Sequence, residues 1–450
     1  MHTRIFTAAV FVCLFSVAPA SAGLRVGVFN VDASPPIGSP LAYDPTKEIT
    51  SPLSCRGIVL SGSGQPIVLC AVDWIGISNG GQTLFRETIA TAVGTSTTRV
   101  VVHTLHQHDA PRCDFTVDDL LAESGARGTG FDPAFARDVI RRTARAVQTA
   151  LNDAQPVTHI GTGTGLIEKV ASNRRILGAD GKVKHVRYTA TRNPVIRAFP
   201  AGTIDPELKM LSLWNDAQPL VAMSWYATHP QSYYRTGGAN PDFPGMARNM
   251  RQTKTGVPHV HFNGAGGNIG AGKWNDGAHE NRQILADRVA AGMEKAWDST
   301  VRTPVSDTDL SWAVEPVSLP AAPHLREDAL LAELRNEQAK AASRWSAGKN
   351  LVWLRRCQAG DTIDIACLSI GKVRILHMPG ELFVEYQLAA QQLRPSLFVA
   401  MAAYGDYAPG YIGTEIAYGQ GGYETSPRAS RVAPAVEKTL MDAVKKLLKK

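Results

Sequence analysis

The sequence predicts an α/β protein in which large mixed β-sheets are flanked by helices. Short apolar runs rich in β-branched residues alternate with longer runs of helical periodicity along the chain. Many of the apolar runs end at a Pro or Gly turn, as buried strands often do. No repeat, low-complexity linker or change of composition interrupts this alternation. Removal of the leader described below leaves about 428 residues (450 less 22), and we expect residues 23–450 to form a single domain.

The first residues have the features of a secretory signal peptide. Arg4 provides a positive start, residues 5–17 are apolar but too few for a comfortable membrane span, and Ala20-Ser21-Ala22 forms a small-residue cleavage site. We therefore expect residues 1–22 to be removed. The destination is secreted or periplasmic, which the sequence does not distinguish. No later run is long and apolar enough to cross a bilayer, so membrane contact is expected to be peripheral at most.

Charge and cysteine content argue against two kinds of site. The formal net charge of +7 is spread along the chain apart from a Lys-rich C-terminus. The sequence lacks the basic stripe of a nucleic-acid-binding protein, so no nucleic-acid partner is expected. Five cysteines remain after processing (six less Cys13), and none forms the Cys-x-x-Cys units of a thiolate zinc site. Export permits disulfides, and Cys357 and Cys367, which flank a short polar segment, are the expected pair. The pairing of the other three is open.

Periodicity and turn residues place the individual elements. Asp242 is expected to cap the helix that follows it, and Asp73, directly after a strand, fits an Asx turn or a helix cap. The predicted strands are residues 24–31, 56–60, 66–72, 100–104, 160–170, 209–213, 220–226, 259–263, 370–377 and 397–403. The predicted helices are residues 81–92, 132–154, 242–253, 281–297, 327–346 and 433–450.

The segment 96–115 is the strongest candidate for a functional site. Its strand, residues 100–104, runs directly into His106-Gln107-His108-Asp109, and Pro111 then turns the chain. Since residues two apart on a strand share a face, His106 and His108 would project together from the strand end. Such a pair suits metal binding or proton transfer. A solvated loop that contains histidines remains the alternative.

Other strands also end in polar residues beside a Pro or Gly turn. His229 precedes Pro230, Glu381 follows Pro379-Gly380, and Tyr411 lies in a Tyr- and Gly-rich loop. In α/β folds such strand ends line the functional crevice. Two histidines and one carboxylate, far apart in sequence, are what an open catalytic zinc site needs. Each residue taken singly is better explained as part of the core or of a turn.

The ordered set of motifs resembles the catalytic domain of the neutral/alkaline (non-lysosomal) ceramidases. Each motif is short, but together they cover nearly all of the exported chain. They are Gly27 to Pro36, Arg56, Asp73, His106-Gln107-His108, Asn173-Arg174, Tyr226 to His229, Asn263 to Gly270, Pro379-Gly380-Glu381, Tyr411 to Thr414 and Gly422-Tyr423-Glu424.

The resemblance implies a zinc hydrolase and assigns roles to seven residues. Zinc lowers the pKa of a bound water toward about 7, which provides a nucleophile at neutral pH. Tyr404, Tyr407 and Tyr418 lie near Tyr411 in sequence and are alternatives to it. The implied zinc ligands are His106, His229, Glu381 and Tyr411. The implied catalytic residues are His108, which contacts the substrate or moves a proton, and Arg174 and Tyr423, which orient the carbonyl or stabilise its oxyanion.

Departures from the family pattern leave the substrate open. Asp109-Ala110-Pro111 replaces a Ser-Gly-Pro, and residues 230–234 are bulkier than the family segment. The chain ends at Lys450, where the family continues into an immunoglobulin-like domain. The first hypothesis is a secreted zinc amidase that cleaves an N-acyl bond in a small-molecule lipid. Alternatives are an esterase or a glycan-cleaving enzyme with the same metal site, or a non-catalytic, metal-dependent binding protein.

Overall fold

The strands follow one another along the whole described chain. The computed structural model describes residues 23–62, 64–125 and 130–449, so the predicted signal peptide at residues 1–22 lies outside the described residues. In chain order the strands are β1 (Arg25–Asp32), β2 (Glu48–Ile49), β3 (Ser54–Gly62), β4 (Gly64–Val72), β5 (Gly76–Ile77), β6 (Val100–Thr104), β7 (Arg112–Cys113), β8 (Gln155–Pro156), β9 (His159–Leu166), β10 (Ser172–Asn173), β11 (Arg175–Leu177), β12 (Val183–Val186), β13 (Glu207–Asn215), β14 (Gln218–Tyr226), β15 (Gly238–Ala239), β16 (His259–Asn263), β17 (Ile269–Gly270), β18 (Val301–Pro304), β19 (Leu310–Val317), β20 (Ile363–Ile370), β21 (Val373–His377), β22 (Glu381–Leu382), β23 (Phe398–Ala402) and β24 (Tyr411–Ile412).

Helices alternate with these strands. Within the described residues, none is long and apolar enough to cross a membrane. In chain order they are α1 (Gly80–Val93), α2 (Phe115–Glu123), α3 (Pro133–Asn152), α4 (Pro194–Ala198), α5 (Asp242–Thr255), α6 (Glu280–Asp298), α7 (Glu327–Arg335), α8 (Ala341–Ala359), α9 (Val384–Leu393), α10 (Glu415–Gln420) and α11 (Val436–Lys449).

Three larger sheets each combine antiparallel strands with one parallel pair at an edge. Their strand orders are β6-β4-β3-β1-β8, β16-β14-β13-β9-β18 and β19-β20-β21-β23. The parallel pairs are β4 with β6, β14 with β16, and β21 with β23. The predicted α/β class with mixed sheets flanked by helices is confirmed.

The parallel edges of the three sheets meet around a shared hydrophobic core. Strand β16 packs beside β4, β6 and β23, which brings the three edges together. Each sheet contributes apolar side chains to this core. They include Ile58 and Leu69 from the first sheet, Leu211 and Met223 from the second, and Leu368 and Ile375 from the third. Burial of these side chains is the main stabilising term for the arrangement.

Helices cover the sheets from outside. α1 and α3 cover the first sheet, α5 and α6 the second, and α9 and α11 the third. Asp132 caps α3 by accepting a hydrogen bond from the Phe135 N–H at 3.0 Å. Gly27 lets β1 approach α3 closely, because a Cβ there would lie 1.9 Å from the Ala150 carbonyl oxygen.

Most predicted elements are present, and the strands predicted at 100–104 and 259–263 have the observed bounds. The helix predicted at 327–346 is wrong, because α7 ends at Arg335 and α8 begins only at Ala341. In the break, the Asn336 side chain accepts a hydrogen bond from the Gln338 N–H at 3.0 Å, which favours a turn over a continuous helix.

Two further predictions need correction. Asp242 does not cap α5 from outside, since it is the first residue of that helix. It has a φ of 50°, and its carboxylate accepts hydrogen bonds from Ser232 and from the Phe243 N–H. The expected Cys357–Cys367 disulfide is absent among the described residues, where both thiols are free. Cys357 lies near the end of α8 and Cys367 within β20, so each belongs to a separate element rather than to one polar loop.

Candidate metal centre and active site

One strand from the parallel pair of each large sheet leads into a single site. His106 follows β6, His229 follows β14, and Glu381 lies four residues beyond β21. Glu381 opens β22, where it is the register partner of Tyr411 in β24. The three sheets therefore deliver residues from distant parts of the chain to the same place, as strand ends do in α/β folds.

The backbone after β6 turns sharply to direct its histidines. The strand ends at Thr104, and His106 has a φ of 66°, so the strand pleat does not explain why His106 and His108 face each other. The His106 N–H donates to the Trp74 carbonyl at 3.0 Å, and the Asn263 side chain donates to the Leu105 carbonyl. The two imidazoles nevertheless converge, with ring centroids 5.2 Å apart. Their predicted proximity is correct, but the predicted reason is wrong.

Three buried or half-buried imidazoles form a cluster that can hold a metal ion. One nitrogen each from His106, His108 and His229 lies within 4.8 Å of the other two. Nε2 of His108 is 3.0 Å from Nε2 of His229, and the rings of His106 and His229 are 4.8 Å apart. Nitrogen atoms bound at about 2.1 Å to one tetrahedral ion lie about 3.4 Å apart, so the separations fit such an ion.

Glu381 adjoins two of the imidazoles. Its Oε2 is 3.3 Å from Nε2 of His106 and 3.7 Å from Nδ1 of His229. Its Oε1 accepts a hydrogen bond from the Tyr407 hydroxyl. The predicted ligand set contained Glu381 and Tyr411 with His106 and His229, while His108 was predicted to be catalytic. The geometry brings all five side chains to the same centre.

Protonation of these groups suits a cation. Burial lowers the pKa of His108 and of His229 well below the usual value, and neighbouring positive charge lowers both further. Burial alone would raise the pKa of Glu381, but the neighbouring His106 and hydrogen bonds, among them the one from Tyr407, bring it below its usual value. At neutral pH the centre therefore contains neutral His108 and His229 rings and an ionised carboxylate, which are the forms that bind divalent metals.

Unpaired hydrogen-bond acceptors test directly whether these residues suit a metal ion. Nδ1 of His106 lies 2.6 Å from the Ile75 carbonyl, so in the neutral ring this nitrogen donates and Nε2 presents a lone pair to Glu381. Two acceptors 3.3 Å apart require a cation between them, either a proton or a metal ion. Among the described residues, Oε2 of Glu381 and Nδ1 of His229 have no hydrogen-bond partner although both are buried. The donor set fits a divalent metal ion.

Arg174, Tyr411 and Tyr423 extend the centre on one side. Nη1 of Arg174 donates to the Tyr411 hydroxyl at 3.0 Å, and Nε of Arg174 is 3.1 Å from the Glu424 carboxylate. The guanidinium lies 5.7 Å from the ring centroid of Tyr423, which meets Tyr411 edge-on at 5.7 Å. Burial opposes the charge on Arg174, but Tyr411 and Glu424 raise its pKa above the usual value, so it stays a cation.

Three residues at the centre were assigned no role from the sequence. Tyr407 was named only as a neighbour of Tyr411 in the Tyr-rich loop, and Glu424 only as part of a motif. Tyr43 was missed entirely, although its hydroxyl lies 3.2 Å from Nδ1 of His108. A Tyr-rich loop after a buried strand is a signal that could have identified Tyr407. The segment around Tyr43 carries no comparable pattern.

Asp73, directly after β4, supports the segment that carries His106 and His108. Its carboxylate forms a fully buried, bidentate ion pair with Arg248 at 2.7 and 2.9 Å and accepts hydrogen bonds from Ser54. Its backbone carbonyl accepts a hydrogen bond from the side chain of Gln107. The side chain of Asp73 therefore forms an ion pair instead of the expected turn or cap, while its backbone carbonyl anchors the segment between His106 and His108.

Comparison with solved structures identifies two proteins with the same architecture. One, described as a ceramidase complexed with C2, has a TM-score of 0.69 and 15% sequence identity over 95% of this chain and 75% of its own. The other, the neutral ceramidase from Pseudomonas aeruginosa, has a TM-score of 0.67 and 17% identity over 95% of this chain and 74% of its own. This chain has the fold of a neutral ceramidase. No protein-family model and no curated protein matches the sequence.

The neutral-ceramidase-like fold gives the cluster its context. At 15% and 17% identity the likeness concerns the fold, and it confirms the resemblance inferred from the ordered motifs. Within that fold, the imidazoles of His106, His108 and His229 form a group able to hold a metal ion.

Proposed function

We propose that this protein is an exported, zinc-dependent hydrolase of the neutral ceramidase type that cleaves an N-acyl amide bond. The observation that carries the proposal is the convergence of neutral imidazoles and an ionised carboxylate in a buried centre of a neutral-ceramidase-like fold. Export rests on the signal-like residues 1–22, and the substrate is a small molecule.

His106, His229, Glu381 and Tyr411 are the proposed zinc ligands. When bound, zinc would supply Lewis-acid polarisation of a carbonyl and an activated water. Burial raises the pKa of Tyr411 well above its usual value, so its hydroxyl keeps its proton in the metal-free protein. Ligation by Tyr411 therefore requires a cation that offsets this burial. His108 is the alternative fourth ligand, because it belongs to the same cluster.

The chain's own residues supply the remaining steps. His108 is neutral and contacts both Tyr43 and His229, so it can take up a proton and return it to the leaving amine. The Arg174 cation lies behind the Tyr411 hydroxyl, and Tyr423 lies beside both. These donors suit an oxyanion that develops on the carbonyl oxygen, and removal of one such donor typically costs a few kcal/mol of the barrier.

A polar ring substrate is the second candidate, and one local observation favours it. The Tyr234 ring lies 4.9 Å from that of Tyr43 and 5.3 Å from that of His108, which forms an aromatic wall beside the imidazoles. Aromatic walls stack on sugar rings as well as on lipids. By contrast, Tyr233 stacks on His279, outside the imidazole cluster.

The test measures zinc and turnover together. Purified protein loaded with zinc is assayed against N-acylsphingosine, N-acyl amino acids, esters and acidic polysaccharides. We expect release of fatty acid from an N-acyl substrate, abolished by a chelator and restored by zinc. His229→Ala should lose bound zinc and at least 100-fold in kcat/KM. The matched control is His185→Ala, which removes an imidazole near Phe199, outside the metal cluster. A His229→Ala protein with full zinc and full activity would contradict the proposal.

A further inference from the structure

A small cavity adjoins the candidate metal centre. It has a volume of about 160 Å³, and its walls include Tyr43, Ile75 and Tyr407. These three residues contact His108, His106 and Glu381, respectively. A pocket of this size takes one polar group rather than a long acyl chain, because whole ligands usually need 300 Å³ or more. A larger cavity of about 790 Å³ is lined by none of the seven predicted site residues.

The lining of this small pocket also presents hydrogen-bond donors that lack acceptors. Trp345 and Lys349 lie four residues apart on α8 and so share a face, and Arg112 comes from β7. The Trp345 N–H and the Arg112 Nε–H are buried and have no hydrogen-bond partner among the described residues. Within the described residues, Lys349 makes neither a hydrogen bond nor an ion pair. The Arg112 Nη2 group donates only to the Ala42 carbonyl.

No described carboxylate lies within 4.0 Å of the Arg112 guanidinium or the Lys349 amine. Asp114 also lines the pocket, but its oxygens accept hydrogen bonds from the Asn79 amide at 2.7 Å and the Val117 N–H at 3.2 Å. Burial lowers the pKa of Lys349 well below its usual value, and the neighbouring Arg431 and Arg112 lower it further. An anion in the pocket would offset both the burial and the repulsion.

We propose, as an extension of the proposed amide hydrolysis, that Arg112, Lys349 and Trp345 form a subsite for a carboxylate on the substrate. Because the pocket shares Tyr43 and Tyr407 with the metal centre, the carboxylate lies only a few bonds from the scissile amide. The preferred substrate is therefore an N-acyl amino acid, whose carboxylate is one carbon from the amide nitrogen. A guanidinium and an indole N–H together match the oxygens of a single carboxylate.

The test compares two substrates that differ only in charge, N-lauroylphenylalanine and N-lauroylphenylalaninamide. With zinc-loaded protein we expect kcat/KM for the acid to exceed that for the amide at least 10-fold. Lys349→Met preserves the length of the side chain and removes its charge, and it should lower this ratio about 10- to 100-fold. Arg112→Gln should act in the same direction. The matched control is Lys340→Met, at the exposed start of the same helix, which should keep the wild-type ratio.

A second measurement separates the subsite from catalysis. Binding of 3-phenylpropionate and of 3-phenylpropanol, neither of which has an N-acyl bond, is measured by calorimetry on wild-type and Lys349→Met proteins with equal zinc content. Tighter binding of the carboxylate that weakens in the variant supports the subsite, even if no amide is cleaved and the proposed function fails. Equal turnover of the acid and the amide overturns the carboxylate subsite and leaves amide hydrolysis standing. Absence of both turnover and selective binding overturns both.

Discussion

Tyr407 determines how Glu381 meets the metal centre. Its hydroxyl donates to Oε1 of Glu381, which leaves Oε2 directed at His106 and His229. Hydrogen bonds of this kind orient metal ligands, and their loss typically weakens metal affinity 10- to 100-fold. We predict that Tyr407→Phe weakens zinc binding about 10-fold without loss of fold. Competition with a chromophoric chelator measures the change.

The control for this prediction is Tyr418→Phe. Tyr418 is in the same loop region, but its hydroxyl bonds to Ser430 at 3.0 Å, and it has no contact with Glu381. Its loss should leave zinc affinity unchanged. Equal zinc affinity in Tyr407→Phe and the wild type would show that Glu381 is positioned without the hydroxyl, or that it is not a ligand.

Residue identities at the centre could be predicted where polar groups follow buried strands. His106, His229 and Glu381 carry that signal, so the sequence identified them. Tyr43 does not, because its contact with His108 joins positions 65 residues apart and depends on how two loops meet. The φ of 66° at His106 was equally hidden, since nothing in His-Gln-His distinguishes a turn from a continued strand.

At the level of elements, α2 begins at an unusual cap. Asp114 accepts the Val117 N–H, and burial raises the pKa of its carboxyl to about 7 despite hydrogen bonds from Asn79 and Val117. The folded protein therefore keeps a proton that the unfolded chain, with an ordinary Asp pKa near 4, releases. Stability from this group is full below about pH 4 and falls as the pH rises to about 7, by up to about 1.4 kcal/mol per pH unit.

We predict that Asp114→Asn removes this slope, because Asn is an equally good cap and does not titrate in this range. Denaturant unfolding at several pH values between 4.5 and 7.5, in chelator, gives the difference in slope between wild type and variant. Buried histidines with lowered pKa values contribute a slope of the opposite sign, but they are common to both proteins and cancel in the difference. Parallel stability profiles would show that Asp114 is ionised in the folded state.

Elements were predictable where one signal was unopposed. The β-branched run of β6 and the amphipathic run of α3 each have a single interpretation. The break between α7 and α8 was missed because helical residues continue through it, while a short Asn336 side-chain turn ends the first helix. The prediction of a Cys357–Cys367 disulfide was wrong for a related reason. Cys357 lies near the end of a helix and Cys367 lies inside a strand, although the residues between them resemble a polar loop.

Across the whole molecule, the candidate ligands lie just beyond strands of all three large sheets. His106 follows a strand of the first sheet, His229 follows a strand of the second, and Glu381 lies four residues beyond a strand of the third. These strands share one apolar core. Sequence reasoning could list the strand ends but not the way in which three mixed sheets meet, because that depends on long-range packing. A metal ion at this position would join segments more than 100 residues apart, a constraint that the unfolded chain lacks.

Zinc should therefore stabilise the entire molecule rather than one loop. At a free zinc concentration 100 times the dissociation constant, a ligand that binds only the folded state contributes about 2.7 kcal/mol. For a chain of this length that corresponds to a rise in Tm of roughly 3 °C, from the average unfolding entropy per residue. We predict that chelation lowers the calorimetric Tm by about this amount in one cooperative transition and that added zinc restores it. His106→Ala should have a Tm that does not respond to zinc. A zinc-dependent shift of equal size in that variant would place the stabilising ion elsewhere on the protein.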